Sequence, residues 1–252
     1  MTPEQRQRYS RQILLPAVGE AGQDRLLASQ VLLIGLGGLG SPVAMYLAAA
    51  GVGHLVLVDY DQVEISNLQR QVIHHTGDVG RLKVDSARER IAALNPDVRV
   101  TSFARVLEGE ELLAQVRAAD VVVDASDNFA TRFTLNAACV QARRPLVSGA
   151  AVRWEGQVTV FRPDLPGEPC YRCLYPEANP LEETCSRVGV FPALLGIVGS
   201  VQATEALKVL LGVGETLAGR LLVLDAQAME WRTLRLRQDP ACPVCAAGTH
   251  PA

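Results

Sequence analysis

Glycines, cations, carboxylates and paired cysteines carry the chemistry available to this 252-residue chain. Gly35, Gly37 and Gly40 follow the apolar run 31–34 at G-x-G-x-x-G spacing, and Gly38 adds another position without a Cβ. Such a loop lets backbone approach a phosphate closely, and a helix opening behind it, with Pro42 in its first turn, presents free N–H groups to negative charge. Asp59 closes a second apolar run, 55–58, where a carboxylate can take ribose hydroxyls. Strand, loop, helix, strand and acid in this order point to a bound nucleotide rather than to a glycine turn that merely packs a helix on a strand.

The charges decide which nucleotide. A dinucleotide brings two phosphate charges, whereas Arg70, Lys83 and Arg11 all fall around one glycine loop, and Asp127 follows the apolar strand 121–124 at the sheet edge where parallel sheets bind ligands. Several cations with a carboxylate able to hold Mg²⁺ fit a triphosphate better than NAD. No G-x-x-x-x-G-K-[ST] occurs, so the chain is not a P-loop enzyme. An NAD-dependent oxidoreductase and a non-enzymatic nucleotide-binding scaffold are the competing readings; the second leaves Arg70, Lys83 and Asp127 without a joint purpose.

Cys170-Tyr-Arg-Cys173 and Cys242-Pro-Val-Cys245 are two C-x-x-C hooks. Two hooks supply a closed tetrahedral set of thiolates, so one structural Zn²⁺ per chain is expected; a redox C-x-x-C would need only one hook. Cys139 reads as a buried small residue on a helix. Cys185 stands in a polar stretch with Arg187 near enough to favour its thiolate, and bare loop cysteines are more often incidental than catalytic.

The elements that must position these residues follow from periodicity. Residues 3–30 read as an amphipathic helical arm in two pieces, broken around Pro16 and Gly19. Strands are expected at 31–34, 55–58, 98–103 and 121–124, and helices at 83–94, 109–118 and from Asn128 to about residue 142. After Pro145 the pattern becomes closely spaced strands, 146–150, 151–154 and 156–161, then a loop over 162–183, a long helix over 192–211 and strands at 221–224 and 233–236. The fold class is α/β: a Rossmann-like mixed sheet, parallel in its N-terminal half, antiparallel in its C-terminal half, with helices on both faces. One domain spans 1–252, divided into the arm 1–30, a nucleotide-binding half 31–145, a second half 146–245 with the zinc hooks, and a tail 246–252.

A formal charge of −3 gives no basic excess for nucleic acid or a membrane surface. The polar N-terminus lacks the apolar core of a signal peptide, and the apolar stretch 192–211 contains Gln202, Glu205 and Lys208, so a cytoplasmic protein without a membrane span is expected.

Together these residues carry a resemblance. Arg8-Tyr-Ser-Arg-Gln-Ile-Leu, Gly35-Leu-Gly-Gly-Leu-Gly, Ser66-Asn-Leu-Gln-Arg-Gln, Asp127-Asn128, Val147-Ser-Gly-Ala-Ala and the two hooks occur in order over nearly the whole chain. They closely resemble the MoeB/ThiF family, bacterial relatives of ubiquitin-activating enzymes. The resemblance implies MgATP-dependent adenylation of the C-terminal glycine of a small ubiquitin-like sulfur carrier, with release of pyrophosphate. It implies that Gly38, Asp59, Ser66, Asn67, Leu68, Gln69, Arg70, Lys83, Asp127 and Asn128 bind the nucleotide. Arg70, Lys83 and Asp127 would act in catalysis, with Arg11 reaching the ATP from the other subunit of a homodimer. Cys185 matches a crossover-loop cysteine that bonds the carrier covalently in some relatives and is dispensable in others. The block Asp127-Asn-Phe-Ala-Thr-Arg132 and the Tyr9-Ser10 opening are similar to the thiamine-pathway enzymes of the family, which act on ThiS-type carriers. Residues 148–157 are closer to the molybdopterin-pathway enzymes, which act on MoaD-type carriers, and these are favoured. The sequence ends soon after the second hook without the rhodanese-like domain some relatives append, so a separate sulfur donor, such as a cysteine desulfurase or rhodanese, is expected.

Overall fold

The computed structural model describes residues 1–176 and 188–246. Strands β1 (Gln30–Ile34), β2 (His54–Val58), β3 (Arg99–Phe103), β4 (Val121–Asp124) and β5 (Leu146–Val152) pair in parallel. Strands β6 (Glu155–Phe161), β7 (Arg220–Asp225) and β8 (Glu230–Arg235) continue the same sheet antiparallel from β5. The order is β3-β2-β1-β4-β5-β6-β7-β8, so the expected mixed sheet is present and changes sense at β5.

Helices α1 (Pro3–Arg8), α2 (Ser10–Ile13) and α3 (Gly19–Ala28) form the N-terminal arm, in three pieces rather than two. Then come α4 (Gly40–Ala50), α5 (Lys83–Leu94), α6 (Gly109–Ala118), α7 (Phe129–Ala142), the one-turn α8 (Tyr171–Leu174) and α9 (Pro192–Leu211). Both faces of the parallel strands are covered. Val31, Leu33, Leu55, Leu57, Val121 and Val123 pack in one core with α4, α5 and α9, while Leu32, Ile34, Val56 and Val122 pack in another with α6 and α7. This is why those strands read as unbroken apolar runs instead of alternating ones.

Two expectations need correction. The three strands after Pro145 are two: β5 runs on through Ala151 to Val152, and Arg153 turns the hairpin with φ of 52°. The small residues Gly149-Ala150-Ala151 suggested a turn, but their place is the middle of a strand. The loop over 162–183 contains α8, a turn too short for periodicity to show. α9 is long and apolar enough to cross a bilayer, yet Leu194, Leu195, Val198, Ala206 and Leu210 belong to the core. Its Gln202 and Glu205 are inside too, bonded to the Asp124 carbonyl (2.8 Å) and the Leu217 N–H (2.7 Å). It is a core helix.

The glycine loop joins β1 to α4 with no room to spare. Gly35 has φ of +92°, and a Cβ placed on Gly40 would lie 1.9 Å from the Gly35 carbonyl oxygen. Only glycine lets α4 start this close to the end of β1. Gly40→Ala is expected to cost about 3 kcal/mol or more and to weaken ATP binding, because backbone rather than a flexible side chain must move. Urea unfolding and nucleotide titration measure both; a variant as stable as the parent would contradict this packing.

Candidate active site and metal centre

A cavity of about 740 Å³ opens at the C-terminal ends of the parallel strands. It sits where the strand order reverses between β1 and β4, the usual ligand crevice of such sheets. Gly35, Gly37, Gly38, Asp59, Arg70, Lys83, Asp127 and Asn128 all line it, so eight residues scattered over 94 positions of sequence meet on one surface. Its other end is formed by β5, β6 and β7, with Ala150, Ala151, Gln157, Val223 and Tyr175.

Asp59 Oδ2 accepts from the Leu36 N–H (2.7 Å) and Oδ1 from the Asp61 N–H (2.9 Å), so the carboxylate holds the glycine loop and the chain after β2 together. Burial pushes its carboxyl above the ordinary range, and the Lys83 charge pulls it back. Lys83 opens α5 and is buried, with Nζ 2.7 Å from Asp61 Oδ2. A cation at a helix N-terminus is unfavourable by itself, and that carboxylate compensates it. Arg70 donates to the Ser66 carbonyl at 2.9 Å, which leaves other guanidinium N–H groups for a ligand. Asp127 is exposed at the tip of the loop after β4, beside Asn128, whose Oδ1 caps α7 by accepting from the Thr131 N–H (2.9 Å).

Ser66, Asn67, Leu68 and Gln69 do not line the cavity. Ile65–Asn67 form a short 3-10 turn, and the buried Asn67 accepts from the Glu64 N–H (3.1 Å), so this block fixes the turn that aims Arg70. Gln71 does line it, buried, with its carbonyl oxygen lacking any hydrogen-bond partner. An orphan acceptor facing a cavity is a ligand-binding feature, and its signal was available in the Ser66–Gln71 block.

Among the described residues, Cys170, Cys173, Cys242 and Cys245 bring their sulfurs within 4.8 Å of one another. Cys170 and Cys242 are 3.7 Å apart and Cys173 and Cys245 3.4 Å, near the roughly 3.8 Å that tetrahedral bonds of about 2.3 Å impose. N–H groups point at the sulfurs: Asp239 N on Cys173 (3.4 Å), Asn136 Nδ2 on Cys170 (3.6 Å) and Gln238 Nε2 on Cys245 (3.6 Å). Such donors steady thiolates. Burial pushes the Cys170 thiol up to about 11, a cost that a divalent cation removes. The donor set fits a closed four-thiolate site for a metal such as zinc. Cys139 is buried apart from it and strongly held as a thiol by burial, in keeping with an inert role.

The ThiF family model matches residues 9–244 of this sequence. The chain belongs to the ThiF family. Three curated relatives of this ThiF-family chain are adenylyltransferases. It is 51% identical to the sulfur carrier protein adenylyltransferase of Thermus thermophilus, over 97% of this chain and 92% of that one. It is 49% identical to the Escherichia coli sulfur carrier protein ThiS adenylyltransferase (94% of each chain) and 46% identical to the E. coli molybdopterin-synthase adenylyltransferase (94% and 95%). Among solved structures, E. coli MccB with ATP superposes with a TM-score of 0.81 at 25% identity, over 94% of this chain and 74% of that one.

One further residue expected at the nucleotide stands apart from the cavity. Arg11 is exposed on α2 and absent from the cavity wall. Its neighbour Gln12 donates to the Ala50 carbonyl (2.8 Å), which fixes α2 at the C-terminal end of α4. The glycine loop is at the other end of that 11-residue helix, about 16 Å away. Cys185, with Arg187, lies outside the described residues. Sequence reasoning also missed Asp124, Arg132 and Tyr175. Asp124 looked like a strand-terminal acid, and it is buried against Ser126, Ser148 and Arg132.

Two expected outcomes follow from these clusters. Metal analysis should return about one zinc per chain, and Cys242→Ser should lose it and loosen the C-terminal region with little change in nucleotide affinity. Asp78, below the loop that carries Arg70, is opposed by burial, yet donors from His75, Ser86 and Arg81 hold its carboxyl below the ordinary 3.8. Its stabilisation is therefore complete above that value and is lost as pH falls through the lower folded value. Asp78→Asn should flatten the acid limb of a stability-against-pH curve; an unchanged limb would rule Asp78 out as its source.

Proposed function

We propose that this chain is a MgATP-dependent adenylyltransferase for a small ubiquitin-like sulfur carrier. The observation that supports this reading above all is the shared cavity, which joins a nucleotide end holding the glycine loop, Asp59, Arg70, Lys83 and Asp127 to an acceptor end built on β5, β6 and β7. The acceptor is the carrier's terminal glycine carboxylate, already ionised at neutral pH, so no strong base is required. One carboxylate oxygen bonds the α-phosphorus of ATP as the bond from that phosphorus to the bridging oxygen breaks, and the electron pair leaves with pyrophosphate. Arg70 and Lys83 neutralise the phosphates along this path, and Asp59 takes the ribose. Magnesium, bound with ATP, would be held by Asp127 and would supply Lewis-acid neutralisation of phosphate charge. Residues 31–145 then serve the nucleotide and 146–245 the carrier, with zinc in the hooks.

A MoaD-type carrier is the preferred substrate and a ThiS-type carrier an additional one, since residues 148–157 favour the first and residues 127–132 the second. Sulfur comes afterwards from a separate donor, and Cys185 belongs to that later stage. The test is carrier-dependent exchange of labelled pyrophosphate into ATP, run with each carrier. Exchange with neither would end the reading. Asp127→Ala is expected to lower exchange about 10²-fold or more; a near-normal rate at ordinary Mg²⁺ would move the metal role to another acid, such as Asp61.

Arg11 acts across a two-fold interface in this reading, because it sits about 16 Å along α4 from its own glycine loop. Arg11→Ala and Asp127→Ala subunits, each inactive alone, are mixed under conditions that exchange partners. Half the dimers become mixed, and one site in each recovers, so roughly a quarter of all sites regain activity. No recovery would place Arg11 in its own subunit's site.

A further inference from the structure

The acceptor end of the cavity sets a polar pair among Ala150, Ala151 and Val223, with Glu155 two residues before Gln157 on the same face of β6. Ala150, Gln157 and Val223 stand directly opposite one another on β5, β6 and β7, and all three line the cavity. They share the sheet face away from α9, since the adjacent Gly156 and Val158 pack towards Leu194 and Val198. Gln157 Nε2 donates to the Tyr175 hydroxyl at 2.6 Å. Among the described residues that leaves the phenol proton and the Gln157 carbonyl oxygen uncommitted, one donor and one acceptor side by side. A peptide group offers the complementary pair, a C=O and an N–H.

The position of Tyr175 is set by the metal hooks. Tyr175 follows α8 directly, and its N–H donates to the Tyr171 carbonyl at 3.0 Å. α8 starts directly after Cys170, its N-cap residue, and contains Cys173, and the Tyr171 N–H is held by Asn136 of α7 (2.8 Å). The Tyr175 ring packs on Phe129 (centroids 5.5 Å apart) and on Tyr171 (5.0 Å). A turn bonded to α7 and two aromatic neighbours thus position the side chain, and fixed position is what gives a hydrogen-bonding group selectivity.

We propose that Tyr175 and Gln157 grip the terminal peptide of the acceptor and so set the binding of the carrier, not of ATP. This rests on the adenylation reading above. Gln157 stands on β6, which β4 and β5 separate from β1 and its glycine loop, so the effect separates by substrate.

The experiment measures pyrophosphate exchange for Tyr175→Phe and Gln157→Leu, varying purified MoaD-type and ThiS-type carriers at saturating ATP and then ATP at saturating carrier. Each variant is expected to raise the carrier KM about five-fold, the loss of one hydrogen bond, while the ATP KM moves less than two-fold. The double variant should be little worse than the worse single one, because the two groups act as a unit. Zinc content and thermal midpoint are followed alongside, and a purely structural role for Tyr175 would lower both together with the ATP response. Gln157→Leu alone decides the matter if Tyr175→Phe fails to fold. Unchanged carrier KM values, or ATP and carrier KM values rising together, with an active parent overturn the pair while leaving adenylation standing. A parent inactive with every carrier overturns both.

Discussion

Asp124 ends β4 with 1% of its surface exposed, and the fold surrounds it with donors from four directions. Ser126 bonds it through N–H (3.0 Å) and hydroxyl (2.6 Å), Ser148 of β5 donates from 3.1 Å, and Arg132 of α7 brings its charge to 3.8 Å. Gln202 of α9 takes the Asp124 backbone carbonyl, and Arg132 also donates to the Ser126 carbonyl at 2.8 Å. A buried carboxylate is tolerated only with such partners, and removing one from a buried pair typically costs about 3–5 kcal/mol. The loop after β4 is fixed by this arrangement, and Asp127 and Asn128 with it. Through Ser148 the same carboxylate is bonded to β5, the strand from which the sheet turns antiparallel, so the two ends of the cavity are registered to each other through one charge.

The nucleotide end owes its readiness to charges that already have partners. Lys83 is held by Asp61, and Asp59 is engaged with two backbone N–H groups. The cations and acids of the cavity are therefore oriented before any ligand arrives, which removes reorganisation from the chemical step. In the proposed reaction an incoming phosphate would exchange one anionic partner of Lys83 for another and keep the lysine's charge compensated throughout.

Much of this was legible in the sequence, for reasons that differ by residue. The strands 31–34, 55–58 and 121–124 were visible because burial on both faces leaves an unbroken apolar run. The glycine spacing was visible because backbone closeness excludes every other residue at Gly40. The hooks were visible because metal ligation demands short fixed spacing. Asp124, Arg132 and Tyr175 were hidden, since what marks them out is a meeting with other strands, Ser148 of β5 for Asp124 and Gln157 of β6 for Tyr175, that only the tertiary fold supplies. Gly149-Ala150-Ala151 misled because small residues serve turns and ligand-facing strands equally. Ser66 to Gln69 were placed by resemblance at the nucleotide, and the geometry puts them one layer behind Arg70.

The four cysteines join positions 72 residues apart in sequence. Between the hooks lie α9, β7 and β8, so the two pairs of thiols bracket the helix that covers the sheet and the two strands that extend it. Closing so long a loop is entropically costly while the intervening chain is loose. A metal held by all four thiols would remove that freedom from the unfolded chain and tie α9, β7 and β8 into one closed loop with the first hook.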